Sequence, residues 1–209
     1  MPSCRRLHIR GLTLVELLVV IGLVGILIAI VGPSMQGLIS AKRVQGLSDE
    51  LVTDMQYARS EAARRSRVVR VGFQATDQLT CYALYVEPEP VPGAPAASGV
   101  NGGVGDCNCS RRPGIDVCTA ELGREEIKTV QVPRSLGVSF SASSADGPIL
   151  NFGAVSGGQV SASAPRAVPA PFEVTVTGTP RGQLRTSVSQ SGRPSVCSPD
   201  GSISGARPC

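Results

Sequence analysis

The chain has no tryptophan, only three tyrosines and four phenylalanines in 209 residues, and a single histidine. So few aromatics beside 24 glycines and 16 prolines exclude a large aromatic core and indicate a loop-rich body with a thin one. A chain of this length supports one modest core, hence one globular unit with extensions. The lone histidine, His8, precedes a long apolar run, so the body beyond it has no imidazole base, no Ser-His or Cys-His pair and no histidine metal ligand. No phosphate-cradling glycine motif is present. Glu121, Glu125 and Glu126 lie in a run that reads as a solvated turn or strand edge, not as paired catalytic carboxylates. These absences argue against an enzyme, a cofactor or a resident metal, and for a structural or binding subunit.

Net charge is also small. The formal charge of +4 includes Arg5, Arg6 and Arg10, and without them 17 basic residues face 16 acidic ones. A body this close to neutral gives no global argument for nucleic acid. Arg59, Arg64, Arg65, Arg67 and Arg70 cluster where a helix passes into a strand, and read as cations complementing the negative end of the helix dipole.

Residues Leu12 to Val31 form an apolar run broken only by Thr13, Glu16 and two glycines. As a helix the run spans about 30 Å, the thickness of a bilayer core. The short basic segment before it stays in the cytoplasm by the positive-inside rule, which predicts a single pass with the C-terminal body outside. The run is too long for a cleaved secretory signal. Glu16 stands one turn inside it, where a lone carboxylate is costly, and a plain membrane anchor gives no reason for it.

The pattern predicts a leader at 1–11, a transmembrane helix at 12–33, an amphipathic periplasmic helix at 34–66 and a β-rich head at 67–209. Val44, Leu47, Leu51, Met55, Ala58 and Ala62 fall on one face of the second helix. Arg43, Asp49, Glu50, Asp54, Arg59, Glu61 and Arg65 are assigned to the opposite face. Pro33 between Gly32 and Gly37 predicts a bend or a melted turn. Strands are expected near 68–73, 81–86, 127–132, 138–140, 149–152, 172–177 and 184–188, giving a mostly antiparallel head. Mobile insertions are expected at 87–118 and 153–171. The fold class is α+β, a long N-terminal helix packed on a small β-rich head.

The string Gly11-Leu12-Thr13-Leu14-Val15-Glu16-Leu17-Leu18, after a basic leader and before a long apolar run, resembles the prepilin peptidase recognition motif of type IV pilins and type II secretion pseudopilins. Leu12 stands where that family usually has phenylalanine. The resemblance implies cleavage after Gly11, methylation of the new amine at Leu12, and an assembly role for Glu16, whose carboxylate pairs with a neighbouring subunit's amine in a fibre. The stretch Glu50 to Ala62 leading into a basic strand resembles the GspH/FimT branch. That likeness implies a pilin-like fold and a minor pseudopilin or minor pilin, a tip or initiation subunit whose partners are other pilins or pseudopilins and the prepilin peptidase. The alternative within the branch is a FimT-like subunit that binds DNA through a Gly-Arg-x-Arg motif. Here the string is Gly192-Arg193-Pro194-Ser195, with Arg181, Arg185 and Arg207 as further candidate contacts.

Cys4 leaves with the leader, and the six remaining cysteines, Cys81, Cys107, Cys109, Cys118, Cys197 and Cys209, form an even set suited to an oxidising compartment. Cys197 with Cys209 is the favoured disulfide, and Cys107 or Cys109 with Cys118 would staple the first insertion. A zinc site built from Cys81, Cys107, Cys109 and Cys118 is the alternative use.

Overall fold

The computed structural model describes residues 13–86, 108, 111, 117, 124–144, 147–161 and 168–209, with backbone alone at 30–34. One helix, α1 (Leu14–Arg65), leads into eight strands: β1 (Val69–Ala75), β2 (Leu79–Val86), β3 (Glu125–Pro133), β4 (Val138–Ser143), β5 (Ile149–Phe152), β6 (Phe172–Gly178), β7 (Gln183–Val188) and β8 (Pro194–Cys197). The strands form two antiparallel four-stranded sheets, ordered β3-β2-β1-β5 and β4-β6-β7-β8.

At 52 residues, α1 is a rod of about 78 Å. It starts where Thr13, in an extended conformation, accepts the Glu16 backbone N–H on its Oγ1 at 3.3 Å, and Thr-x-x-Glu is the capping-box pattern. It ends at Ser66, whose left-handed conformation (φ 52°) lets its N–H reach the carbonyls of Ala62 and Ala63. The melted turn expected at Pro33 is absent: α1 runs continuously from Leu14 to Arg65.

The face of α1 that meets the head follows the predicted stripe. Val44, Leu51, Met55, Ala58 and Ala62 are fully buried against both sheets, and Leu47 is partly buried. Strand alternation completes the core: Val69, Val71 and Phe73 point inward from β1, and Phe172, Val174 and Val176 from β6. The scarce aromatics are concentrated here, with Phe73 in ring contact with Tyr82, Phe140 and Phe172 at centroid separations of 5.8, 5.9 and 5.7 Å.

Two sequence expectations change. Asp54 and Glu61, assigned to the solvent face of the helix, are buried at 5% and 6% exposure. Residues 153–161, expected in a mobile insertion, are tied down: Gly153 N–H donates to Gly158 O, Gln159 N–H to Gln190 O, and Val160 N–H to Asn151 O at 2.8–3.0 Å. Most of the insertion at 87–118 lies outside the described residues. Val117 is fully buried with Ala83 and Tyr85 on the outer face of β2, so that point of the insertion is packed on the sheet.

Candidate functional site

The N-terminal part of α1 carries the candidate processing and assembly residues. Gly11 and Leu12 lie outside the described residues. Glu16 sits in the first turn of α1, held there by the Thr13 cap, and its side of the helix is open. From Leu14 to Ile28 the helix projects beyond the head with its large apolar side chains exposed, for example Leu14 at 74% and Ile28 at 66%. Glu16 is the only charged residue along this stretch. Among the described residues no helix is long and apolar enough to cross a membrane; of the predicted span 12–33, side chains are described at 13–29 only.

Ionic groups that the sequence pattern had assigned to solvent fix the other part of α1 to the head. Tyr82 Oη donates to Asp54 Oδ2 at 2.8 Å, and Lys128 Nζ donates to Asp54 Oδ1 at 2.8 Å and to Glu50 Oε1 at 3.1 Å. Burial, then the Asp54 carboxylate, pushes the Tyr82 hydroxyl far above its ordinary range, so it stays a proton donor. Burial alone would lower the Lys128 ammonium, but its bonds to Asp54 and Glu50 outweigh that and hold it above the usual lysine range. One turn from the helix end, Arg64 Nη2 and Arg65 Nε lie 2.7 and 2.6 Å from Glu61 Oε2, and Arg65 Nη1 bonds Glu125 at 2.6 Å. The Arg64 bond first, then that of Arg65, lowers the Glu61 carboxyl from 4.5 to about 2. Sequence reasoning missed Asp54, though a signal was there: it stands three residues after Leu51 and four before Ala58, on the edge of the apolar stripe.

The candidate DNA-binding residues are spread out. Gly192 (φ 75°) closes the β7–β8 turn, where its N–H donates to Ser189 O at 2.8 Å, and Arg193 follows with its side chain exposed. Arg185 lies on the outer face of β7, 3.8 Å from Glu173 Oε2. Arg181 is in the β6–β7 turn at the other end of β7, where its carbonyl accepts the Ser40 hydroxyl of α1 at 2.6 Å. Arg207 belongs to the C-terminal tail, its carbonyl accepting Ser198 N–H. About 20 Å of strand separates the ends carrying Arg181 and Arg193.

Cys197 and Cys209 form a disulfide with a Cα–Cα distance of 5.0 Å. Cys81 is disulfide-bonded too, which removes its thiol from the four-cysteine zinc arrangement. Cys107, Cys109 and Cys118 lie outside the described residues. Among the described residues no group of His, Cys, Asp and Glu is placed to hold a metal.

Comparison with known families gives two matches. Residues 6–32 match the prokaryotic N-terminal methylation motif, and residues 47–192 match the family of type II transport protein GspH. No curated protein and no solved structure matches the chain. The second match takes in the amphipathic part of α1 and nearly all of both sheets, and with it the chain belongs to the type II transport protein GspH family.

Proposed function

We propose that the chain is a minor pseudopilin or minor pilin, a fibre subunit that acts at the tip or in initiation. Prepilin peptidase cuts it after Gly11 and methylates the amine of Leu12. Before assembly it stands as a single-pass inner-membrane protein with its head in the periplasm. The observation that carries this reading is the division of α1. One part is cemented into the head, while Leu14 to Ile28 extend as a bare apolar rod bearing one carboxylate. Apolar surface on that scale is costly in water and is satisfied by lipid or by the helices of neighbouring subunits.

Glu16 then has a defined task. In lipid an isolated carboxylate costs several kcal/mol, and in a packed fibre the amine of an adjacent subunit offsets that cost. The mass of the intact protein purified from its native membrane tests processing: the expected chain begins at N-methylated Leu12, and retention of residues 1–11 overturns the reading. Glu16→Ala is expected to stay in the membrane yet fail to copurify with the other fibre subunits. Unchanged copurification would remove the pairing role.

A further inference from the structure

We infer that the end of the head remote from the N-terminus of α1 is a docking surface for a protein partner that presents an apolar side chain flanked by carboxylates. This goes beyond the fibre reading, which uses the N-terminal part of α1 alone.

The surface is built around the loop that follows β5. A groove of about 360 Å³ opens there, lined by Val68, Arg70, Asn151, Val155 and Val160. Val155 is 99% exposed, an apolar side chain held in water at the groove's edge. Its loop is not loose. A Cβ at Gly157 would fall 2.6 Å from Arg59 Cγ and 3.0 Å from the Arg59 carbonyl, and one at Gly192 would collide with the Gly157 carbonyl. The two glycines thus let α1, the Val155 loop and the β7–β8 turn stack in direct contact.

Polar chemistry in and around the groove says what fits it. Asn151 is 4% exposed and lines the groove, and its Oδ1 has no hydrogen-bond partner among the described residues. An acceptor buried without a partner is costly, and a backbone N–H from an occupant would relieve it. Arg59 and Arg193 flank the two glycines, and neither guanidinium is in an ion pair or hydrogen bond among the described residues. Two guanidinium groups with no ion pair among the described residues, one packed on Gly157 just after the groove-lining loop and one next to Gly192 stacked on it, complement carboxylates on either side of an apolar residue. A nucleic acid fits less well: it would leave Val155 and the groove unfilled, and two phosphate contacts give weak binding at physiological salt.

The test uses the full-length chain in detergent micelles and a fluorescent peptide of sequence Asp-Val-Leu-Val-Asp, read by anisotropy. The peptide is expected to bind, and its counterpart Asn-Val-Leu-Val-Asn to bind at least about tenfold more weakly to the same protein. That comparison needs no variant, so it stands whether or not substitutions at the loop fold well. Val155→Asp and the double variant R59Q/R193Q are each expected to lose the preference for the acidic peptide, while R207Q keeps it. Equal affinity for the two peptides, or no binding of either, overturns the inference. So does a short DNA duplex that binds more tightly than the acidic peptide and is released by R193Q, which would assign the surface to nucleic acid.

Discussion

The hydroxyl of Tyr82 donates to the carboxylate of Asp54 at 2.8 Å across the interface between α1 and the inner face of the first sheet. Tyr82 is fully buried and Asp54 nearly so, and Lys128 closes the group from β3. The helix is thereby fixed to the head by a charge as well as by apolar packing.

Removing Asp54 strands the Tyr82 hydroxyl, whereas Lys128 keeps Glu50 and contact with solvent. Asp54→Ala is expected to cost about 2 kcal/mol, because a fully buried phenol loses its acceptor and a part-exposed ammonium loses one of two. Tyr82→Phe removes one donor and leaves the carboxylate paired with Lys128, so about 1 kcal/mol is expected. Urea denaturation of the two variants would order them, and equal losses would show that the phenol, not the ammonium, dominates.

Glu61 makes stability depend on acid. Its folded-state carboxyl titrates at about 2 against 4.5 unfolded, so the unfolded chain takes up the proton first as pH falls. The contribution is therefore present above pH 4.5 and is lost progressively between 4.5 and about 2. In Glu61→Gln this part of the acid limb is expected to flatten, with stability at neutral pH lowered. Thermal unfolding against pH reads both effects; an unchanged acid limb would show that the pairs with Arg64 and Arg65 contribute nothing.

The glycines divide into tight and open positions, and alanine substitution separates them. Gly157 combines φ 61° with backbone and side chain of Arg59 inside 3.3 Å, whereas Gly46, on the exposed side of α1, has nothing within 4 Å. Gly46→Ala is expected to stabilise by about 0.5–1 kcal/mol through helix propensity and a less free unfolded chain. Gly157→Ala is expected to destabilise by at least about 2 kcal/mol, since strain and collision add. A neutral Gly157→Ala in thermal unfolding would mean that the loop can leave α1 without loss.

What the sequence disclosed and what it hid follow from range. The stripe Val44 to Ala62 depends on helical periodicity, a local property, and all seven expected strands begin within two residues of their observed starts because alternation is local too. Strand β8 was missed because Pro194-Ser195-Val196-Cys197 is short, begins with proline and shows little alternation; its partner β7 and the Cys197 crosslink make it a strand. Asp54 was misassigned because residue type suggested solvent, while its partners Tyr82 and Lys128 are distant in sequence; Glu61 pairs locally with Arg64 and Arg65, and only its burial, a tertiary property, was hidden. The approach of Gly157 to Arg59 is likewise a tertiary fact with no local signature. Of the candidate site, the motif around Glu16 was legible because it is a contiguous string, the one that the N-terminal methylation motif at residues 6–32 covers.

The C-terminal tail tests whether a staple acts on the folded state or only on the unfolded chain. The Cys197–Cys209 bridge closes a loop with a sequence separation of 12, for which loop-closure entropy gives about 3 kcal/mol. Inside the loop Ile203 is 2% exposed in the main core, and Ser204 O accepts the Gln45 side-chain amide of α1 at 3.3 Å. If the bridge works purely through the unfolded chain, the losses from C197S/C209S and from Ile203→Ala simply add. The tail, however, is held on α1 by few contacts: without the bridge it frays, and Ile203 spends part of its time away from the core. Ile203→Ala is therefore expected to cost about 3 kcal/mol in the bridged protein and at least about 1 kcal/mol less in the C197S/C209S background. Denaturant titration of the four proteins measures this coupling, and strict additivity would assign the bridge to the unfolded chain alone.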